Sequence, residues 1–267
     1  MSAAERRARF RELHDREGLF LLPNPWDVGS ARLLEELGFE ALATTSQGFA
    51  WALGKLDYGP TRDEVVAHVE ALAAAVTVPL NVDSANCFPG EPGGVAETVR
   101  LLGEAGAAGC SIEDYDPDSG LVAVELAAER VAAAAEAAHR LDPPMILTGR
   151  AENHIRGVDE LDDTISRLHA YREAGADCLY APGLTDLGRI RRVVDEAGAP
   201  VNVLALPAGP GIRELEAAGV RRASTGSLLA GAAYGALAAA ARELLEQGTS
   251  EYAKAAVSRD LVGRAFD

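Results

Sequence analysis

The sequence predicts an α/β protein closed as a (β/α)8 TIM barrel, and three observations carry that reading. Eight short apolar runs alternate with segments of helical period, which calls for parallel strands covered by helices, and eight repeats allow the sheet to close. Three helices end in similar words, Glu104-Ala-Gly-Ala-Ala-Gly, Glu173-Ala-Gly-Ala-Asp and Glu216-Ala-Ala-Gly-Val, each just before an apolar run. Two runs, Pro79-Leu-Asn-Val-Asp83 and Gly109-Cys-Ser-Ile-Glu-Asp114, stop at carboxylates, as strands do where a barrel presents its chemistry at the C-terminal rim.

Taken in order, Arg6 to Arg16 reads as a helix, and Leu19 to Leu22 is the first strand, ending at Pro23-Asn24-Pro25-Trp26-Asp27. Ser30 to Leu37 has helical spacing, and Phe39 to Thr45 reads as a buried strand. The helix Arg62 to Ala75 leads into the strand Val78 to Asp83, and the next strand starts at Gly109. Val122 to Arg140 is a helix before the strand Met145 to Gly149; a strand at Asp177, the helix Asp186 to Ala197 and strands at Pro200 to Leu204 and Arg221 complete eight. Gly38, Gly106, Gly175 and Gly219 are placed to end helices in the left-handed conformation. An open doubly wound sheet is the alternative, but no GxGxxG follows the first strand. Ser227 to Glu246 is so rich in alanine and glycine that it suits a helix lying between subunits, and equally a buried helix of high propensity. Ser250 to Asp267 reads as a short helix and tail.

With 267 residues and 48% hydrophobic content, one core suffices, so residues 1–267 are read as a single domain. A formal charge of −16 excludes nucleic acid and anionic membrane as partners, and means that an anionic substrate needs a local cation. No apolar stretch approaches the roughly 18 residues of a spanning helix, and Met1 to Phe10 lacks an apolar signal core; a cytoplasmic location is expected. Cys87, Cys110 and Cys178 form no CxxC pair, and reduced thiols are expected.

In such a barrel the residues after each strand form the rim. Asp83 and Glu113, from adjacent strands, offer the hard oxygens that suit Mg²⁺ completed by waters and substrate. Arg150 supplies the cation for a carboxylate, and Thr44-Thr-Ser-Gln-Gly48 is a polar turn whose amides suit an anion. Asn24, Tyr180 and Asn202 share this rim. The structural alternative is a set of rim salt bridges, with Arg150 paired to Glu113 or Glu152. His154 is the one histidine in a rim loop and a candidate acid or base; His14, His68, His139 and His169 fall in helices. Cys87 reads either as a nucleophile or as a small residue in a turn.

The stretches Asn24-Pro-Trp-Asp-Val-Gly-Ser-Ala-Arg32, Thr44-Thr-Ser-Gln-Gly-Phe-Ala-Trp-Ala-Leu-Gly54 with Asp57, Gly94-Val-Ala-Glu-Thr-Val-Arg100, Ala105 to Asp114, Gly149-Arg-Ala-Glu-Asn153 and Tyr180-Ala-Pro-Gly183 resemble, in order, the phosphoenolpyruvate mutase/isocitrate lyase superfamily, particularly its small-barrel mutase-like and oxaloacetate decarboxylase-like members. The resemblance implies Asp83 as a direct Mg²⁺ ligand and Glu113 as a ligand through water. It implies that Thr45, Ser46 and Gln47 bind the substrate carboxylate, Arg150 the substrate's oxygens, and that Asp57 stands beside the reacting group. It further implies a 2-oxo acid or its enolate as ligand and a homo-oligomer, a tetramer or dimer, in which the C-terminal helix is exchanged between subunits.

Two departures qualify the likeness. Ala85 stands where the family carries a second acidic residue, with Cys87 and Pro89 at glycine positions; loss of that carboxylate removes an acceptor for metal-bound water, a change worth about 10–100-fold in affinity or activity. The segment Tyr115-Asp-Pro-Asp-Ser-Gly-Leu121 lacks the lysine and cysteine of the lyase lid. The leading expectation is therefore a lyase acting on a small 2-oxo acid through a metal-stabilised enolate, with oxaloacetate decarboxylation the simplest case. The alternatives are a specialised carbon–carbon or carbon–phosphorus lyase or mutase of secondary metabolism, and a paralogue that binds a metabolite without turnover.

Overall fold

The computed structural model describes residues 1–267. Eight strands form the sheet: β1 (Phe20–Leu22), β2 (Leu42–Ala43), β3 (Leu80–Asp83), β4 (Gly109–Glu113), β5 (Ile146–Arg150), β6 (Cys178–Tyr180), β7 (Val201–Leu204) and β8 (Arg222–Ser224). Every ladder is parallel, and strands neighbour one another in chain order, with β8 returning to β1. The last seam, between β1 and β2, is drawn together past the strand ends, where Ala43 N donates to Pro23 O at 3.0 Å. Asn24 fastens it: its Nδ2 donates to Thr44 O at 2.6 Å, and its Oδ1 accepts from the Thr225 and Gly226 amides at 2.8 Å each. The nearly closed (β/α)8 barrel is the fold read from the sequence.

The helices are α1 (Ala3–Asp15), α2 (Val28–Glu36), α3 (Ser46–Ala52), α4 (Arg62–Ala75), α5 (Gly94–Glu104), α6 (Val124–His139), α7 (Leu161–Glu173), α8 (Leu187–Ala197), α9 (Ile212–Ala217), α10 (Leu228–Glu246) and α11 (Arg259–Phe266). Capping boxes start α1 at Ser2 with Glu5, α2 at Asp27 with Ser30, and α4 at Thr61 with Glu64. Gly38, Gly106, Gly175 and Gly219 all have positive φ, as their place after helices requires. Thr44 to Gly48, expected as a turn, instead runs into α3, whose N-cap Thr45 accepts from Gly48 N at 3.3 Å. Tyr115–Asp116 and Gly120–Leu121, in the segment that lacks the lysine and cysteine of the lyase lid, form a small antiparallel ribbon.

The two-residue period of the strands divides the core in two. Outward residues such as Leu80, Val82, Cys110, Ile112, Leu147, Leu179, Val201 and Val203 join the large cluster beneath the helices. Inward residues, Phe20 and Ile146 at strand starts and Leu22 and Ala43 at the ends of the short β1 and β2, pack with Phe10 and Leu13 of α1, so α1 plugs the N-terminal end of the barrel. Gly109 makes room for this plug, because a Cβ there would lie 2.7 Å from the Phe10 ring and 2.9 Å from Ile146 O.

The C-terminal helices behave differently. Helix α11 returns to α2, with Arg264 on Glu36 at 2.6 Å and Arg32 donating to Phe266 O at 3.2 Å. Only Ala230 of α10 is buried, while Leu237 is 65% and Leu245 87% exposed. Within this chain α10 is therefore not the buried helix that its alanine content also allowed. Against the expectation that no stretch reaches spanning length, its 19 residues are long and apolar enough to cross a membrane by length and composition alone.

Candidate active site

The inward alternation that seats α1 at one end of the barrel turns polar toward the other. Above the plug the inward residues are Asn81 and Asp83, Ser111 and Glu113, Thr148 and Arg150, Tyr180, Asn202 and Leu204, and Arg222 and Ser224, all polar but Leu204. They lie in or beside a cavity of about 330 Å³ that opens at the C-terminal rim. Thr45, Ser46, Gln47, Asp57, Asp83, Arg150 and Asn202 line it together, and Glu113 lies just behind the wall, 4% exposed.

Arg150 is the hub. Its Nη1 is 3.3 Å from Asp83 Oδ1 and 3.4 Å from Glu113 Oε2, and its Nε bonds Glu152 Oε1. The salt bridges foreseen as alternatives for Arg150, to Glu113 and to Glu152, are both present. Glu152 is fully buried, and its other oxygen lies 3.2 Å from Arg156 Nε, so one carboxylate holds two guanidinium groups on one side of the cavity. Glu152 is itself fixed through its amide, which donates to Asp114 Oδ1 at 2.8 Å; Asp114 also takes Arg167 at 2.9 Å and the Tyr171 hydroxyl. Across the cavity, Ser46 N at the start of α3 donates to Asp83 Oδ2 at 3.1 Å.

Crowding of acids shapes the electrostatics. Burial pushes Glu113 up to about 8 against the pull of Arg150, with Glu152 and Asp83 adding to the rise. Asp57 is raised by burial and by Asp83 beside it. Burial alone would lower Arg150, but Glu152, Glu113 and Asp83 together hold it well above its ordinary value.

A second layer, drawn from loops, escaped the sequence reading. The Tyr58 hydroxyl donates to Glu113 Oε1 and accepts from Arg156, and Tyr58 takes a left-handed backbone at φ 61° to do so. Arg156 lies over the Tyr115 ring at 3.6 Å, closing the cavity on the side of the ribbon. Asn81, Ser111 and Arg222 were also missed, although a polar residue two places before a rim residue in an apolar run marks the inward face. Nothing local marks Tyr58 or Arg156.

Other candidates fall outside the cavity. His154 turns toward α7, with Nε2 3.1 Å from Thr164 Oγ1 and Nδ1 3.4 Å from Asp159. Cys87 is fully buried, and burial pushes its thiol up to about 12, so it is the small residue in a turn and no nucleophile. The turn is unusual: Ala85, Cys87 and Phe88 have φ of 48°, 57° and 49°, and Ala85 O accepts from Glu113 N at 3.0 Å. Asp83 and Glu113 converge on a single point that the Arg150 guanidinium nitrogen holds; their oxygens are of the hard type that suits Mg²⁺, and they are the residues that would hold it, with water and substrate completing it in place of that nitrogen. Ala85 adds no side-chain oxygen to this pair.

The chain matches the model of the phosphoenolpyruvate phosphomutase family over residues 10–245. A Burkholderia cenocepacia J2315 protein of proposed lyase/mutase class has the same fold, with TM-score 0.95 and 48% identity over 99% of this chain and 97% of that one. The chain is 30% identical to 2-methylisocitrate lyase of Escherichia coli K12 over 202 residues, covering 72% of this chain and 67% of that protein. It is 31% identical to oxaloacetate decarboxylase of Paraburkholderia xenovorans LB400 over 211 residues, covering 75% and 69%. The chain thus belongs to the phosphoenolpyruvate phosphomutase family, within the superfamily of lyases and mutases that also holds the isocitrate lyase type.

Proposed function

We propose that this protein is a lyase that acts on a small 2-oxo acid by stabilising its enolate, with oxaloacetate decarboxylation as the reaction to test first. The observation that carries the reading is the convergence of Asp83 and Glu113 on Arg150 Nη1 at the rim of a polar cavity. In this reading Thr45, Ser46 and Gln47 take the substrate carboxylate, and Arg150, held by Glu152, donates to the carbonyl oxygen as negative charge develops there. Mg²⁺ on Asp83, and on Glu113 through water, would supply Lewis-acid polarisation of that carbonyl. The bond from C3 to the leaving carboxylate breaks, its electron pair enters the enolate and CO2 departs. Asp57, which lines the cavity and whose carboxyl is raised by burial, would return a proton to C3. This sequence needs no lid base, which agrees with the short ribbon at 115–121. Asn202 lines the same cavity, with Oδ1 accepting from Arg222 and Nδ2 donating to Ser224, and would offer its remaining N–H to the acid. The exposed apolar side of α10 supports a homo-oligomer built through that helix.

Proton NMR of oxaloacetate with the protein, with added Mg²⁺ and with EDTA, tests this reading. Metal-dependent pyruvate formation lost in Asp83→Ala is expected; turnover that survives Asp83→Ala would reject the assignment. Ala85 favours one other reading, a paralogue that binds a metabolite without turnover, and ligand binding without any product from 2-oxo acids would select it.

A further inference from the structure

The cavity extends below the rim to a floor whose charge is opposite to what surrounds Asp83. Arg222, 2% exposed, lines that floor together with Asn81, Ser111, Asn202 and Ser224. Its guanidinium partners are all neutral: Nε donates to Asn202 Oδ1 at 3.1 Å, Nη2 to Thr148 Oγ1 at 2.8 Å, and Nη1 to His14 Nε2 at 3.2 Å. His14 can accept because its Nδ1 lies 2.8 Å from Phe10 O, which fixes the proton on Nδ1. Burial, and then Arg222 itself, push His14 down to about 3, so the imidazole brings no charge of its own. None of the chain's ion pairs includes Arg222, whereas the rim carboxylates Asp83 and Glu152 are held by Arg150 and Arg156. A buried cation with only neutral partners is costly unless an anion completes it. Three of its five N–H groups are used, so two remain on a side chain that lines the cavity.

We propose that the barrel floor, which lies below the rim and meets it at Asn202, is an anion subsite centred on Arg222 that takes a small halide or the carboxylate of a small acid. Asn81 and Ser111 line the cavity beside it as neutral groups, the Ser111 hydroxyl donating to Val82 O at 3.4 Å, and the cavity's carboxylates, Asp57, Asp83 and Glu152, come from the rim. The subsite does not depend on which reaction the rim performs.

The test is thermal unfolding of the full chain at constant ionic strength, replacing sodium gluconate stepwise by sodium chloride or by sodium formate. Wild-type protein should show a saturable rise in Tm, roughly 5 °C at about 100 times the dissociation constant. The rise should persist in Arg150→Gln, which alters only the rim. It should vanish in Asn202→Asp, an isosteric change that gives Arg222 its own carboxylate and should raise the Tm measured in gluconate. A response to chloride assigns a halide, and a response to formate alone assigns a carboxylate. Equal Tm values in all three salts, a response kept in full by Asn202→Asp, or one lost in Arg150→Gln would each overturn the proposal. Because no turnover is measured, failure of the lyase reading leaves this result unaffected.

Discussion

Nη1 of Arg150 lies 3.3 Å from Oδ1 of Asp83, and the same nitrogen is 3.4 Å from Oε2 of Glu113. Removing this cation leaves Asp83, Glu113 and Glu152 facing one another in a buried space. Arg150→Gln should therefore lose stability of about 3–5 kcal/mol, the scale of breaking a buried pair, and about 10²–10³-fold in kcat. Arg150→Lys restores the charge without the planar fork, so urea unfolding should recover more than kcat does. Equal recovery of both would mean that Arg150 acts through charge alone.

His14 sets an acid limit. Its value of about 3 in the folded chain lies below the ordinary 6.5, so between these pH values the unfolded chain binds more protons than the native one. Stability then rises with pH through that window and is lost as pH falls, at up to about 1.4 kcal/mol per pH unit. His68, lowered by burial to about 4, adds in the same direction. Thermal scans from pH 7 to pH 4 should show the loss, and His14→Gln should reduce its slope.

Phe10 is the centre of the α1 plug and is fully buried. Phe10→Ala should cost about 3–5 kcal/mol in denaturant unfolding. A loss below ~1 kcal/mol, the scale of a surface change, would mean that α1 is peripheral to the barrel.

How much of this was legible in sequence follows from range. The alternation of strands and helices is local, and so are the glycines that close the helices, Gly38 and Gly175 among them. Asp83 and Arg150 could be named because each ends an apolar run. Arg222 stands two places before Ser224 and so on the inward face, but its part as a buried cation comes from Thr148, Asn202 and His14, which lie far off in sequence. Tyr58 and Arg156 come from separate loops that meet over Glu113, 98 positions apart, and no periodicity joins them. The start of α3 at Ser46 was read as a turn because Thr45 and Ser46 favour both caps and turns.

Helix α10 exposes Leu237, Leu244 and Leu245. Light scattering should find an assembly larger than the 27.9 kDa chain, and Leu237→Glu combined with Leu245→Glu should shift it toward that mass. A monomeric wild-type protein would remove α10 as a contact between copies.

The most direct measurement is calorimetric titration of oxalate, a dianion shaped like a pyruvate enolate, into wild-type protein and Arg150→Gln, each with and without Mg²⁺. Binding to wild type that Mg²⁺ strengthens, and that falls at least about tenfold, or 1.4 kcal/mol, in Arg150→Gln, is the expected result. Absence of oxalate binding to wild type, or equal binding by Arg150→Gln, would contradict an enolate site built on Arg150.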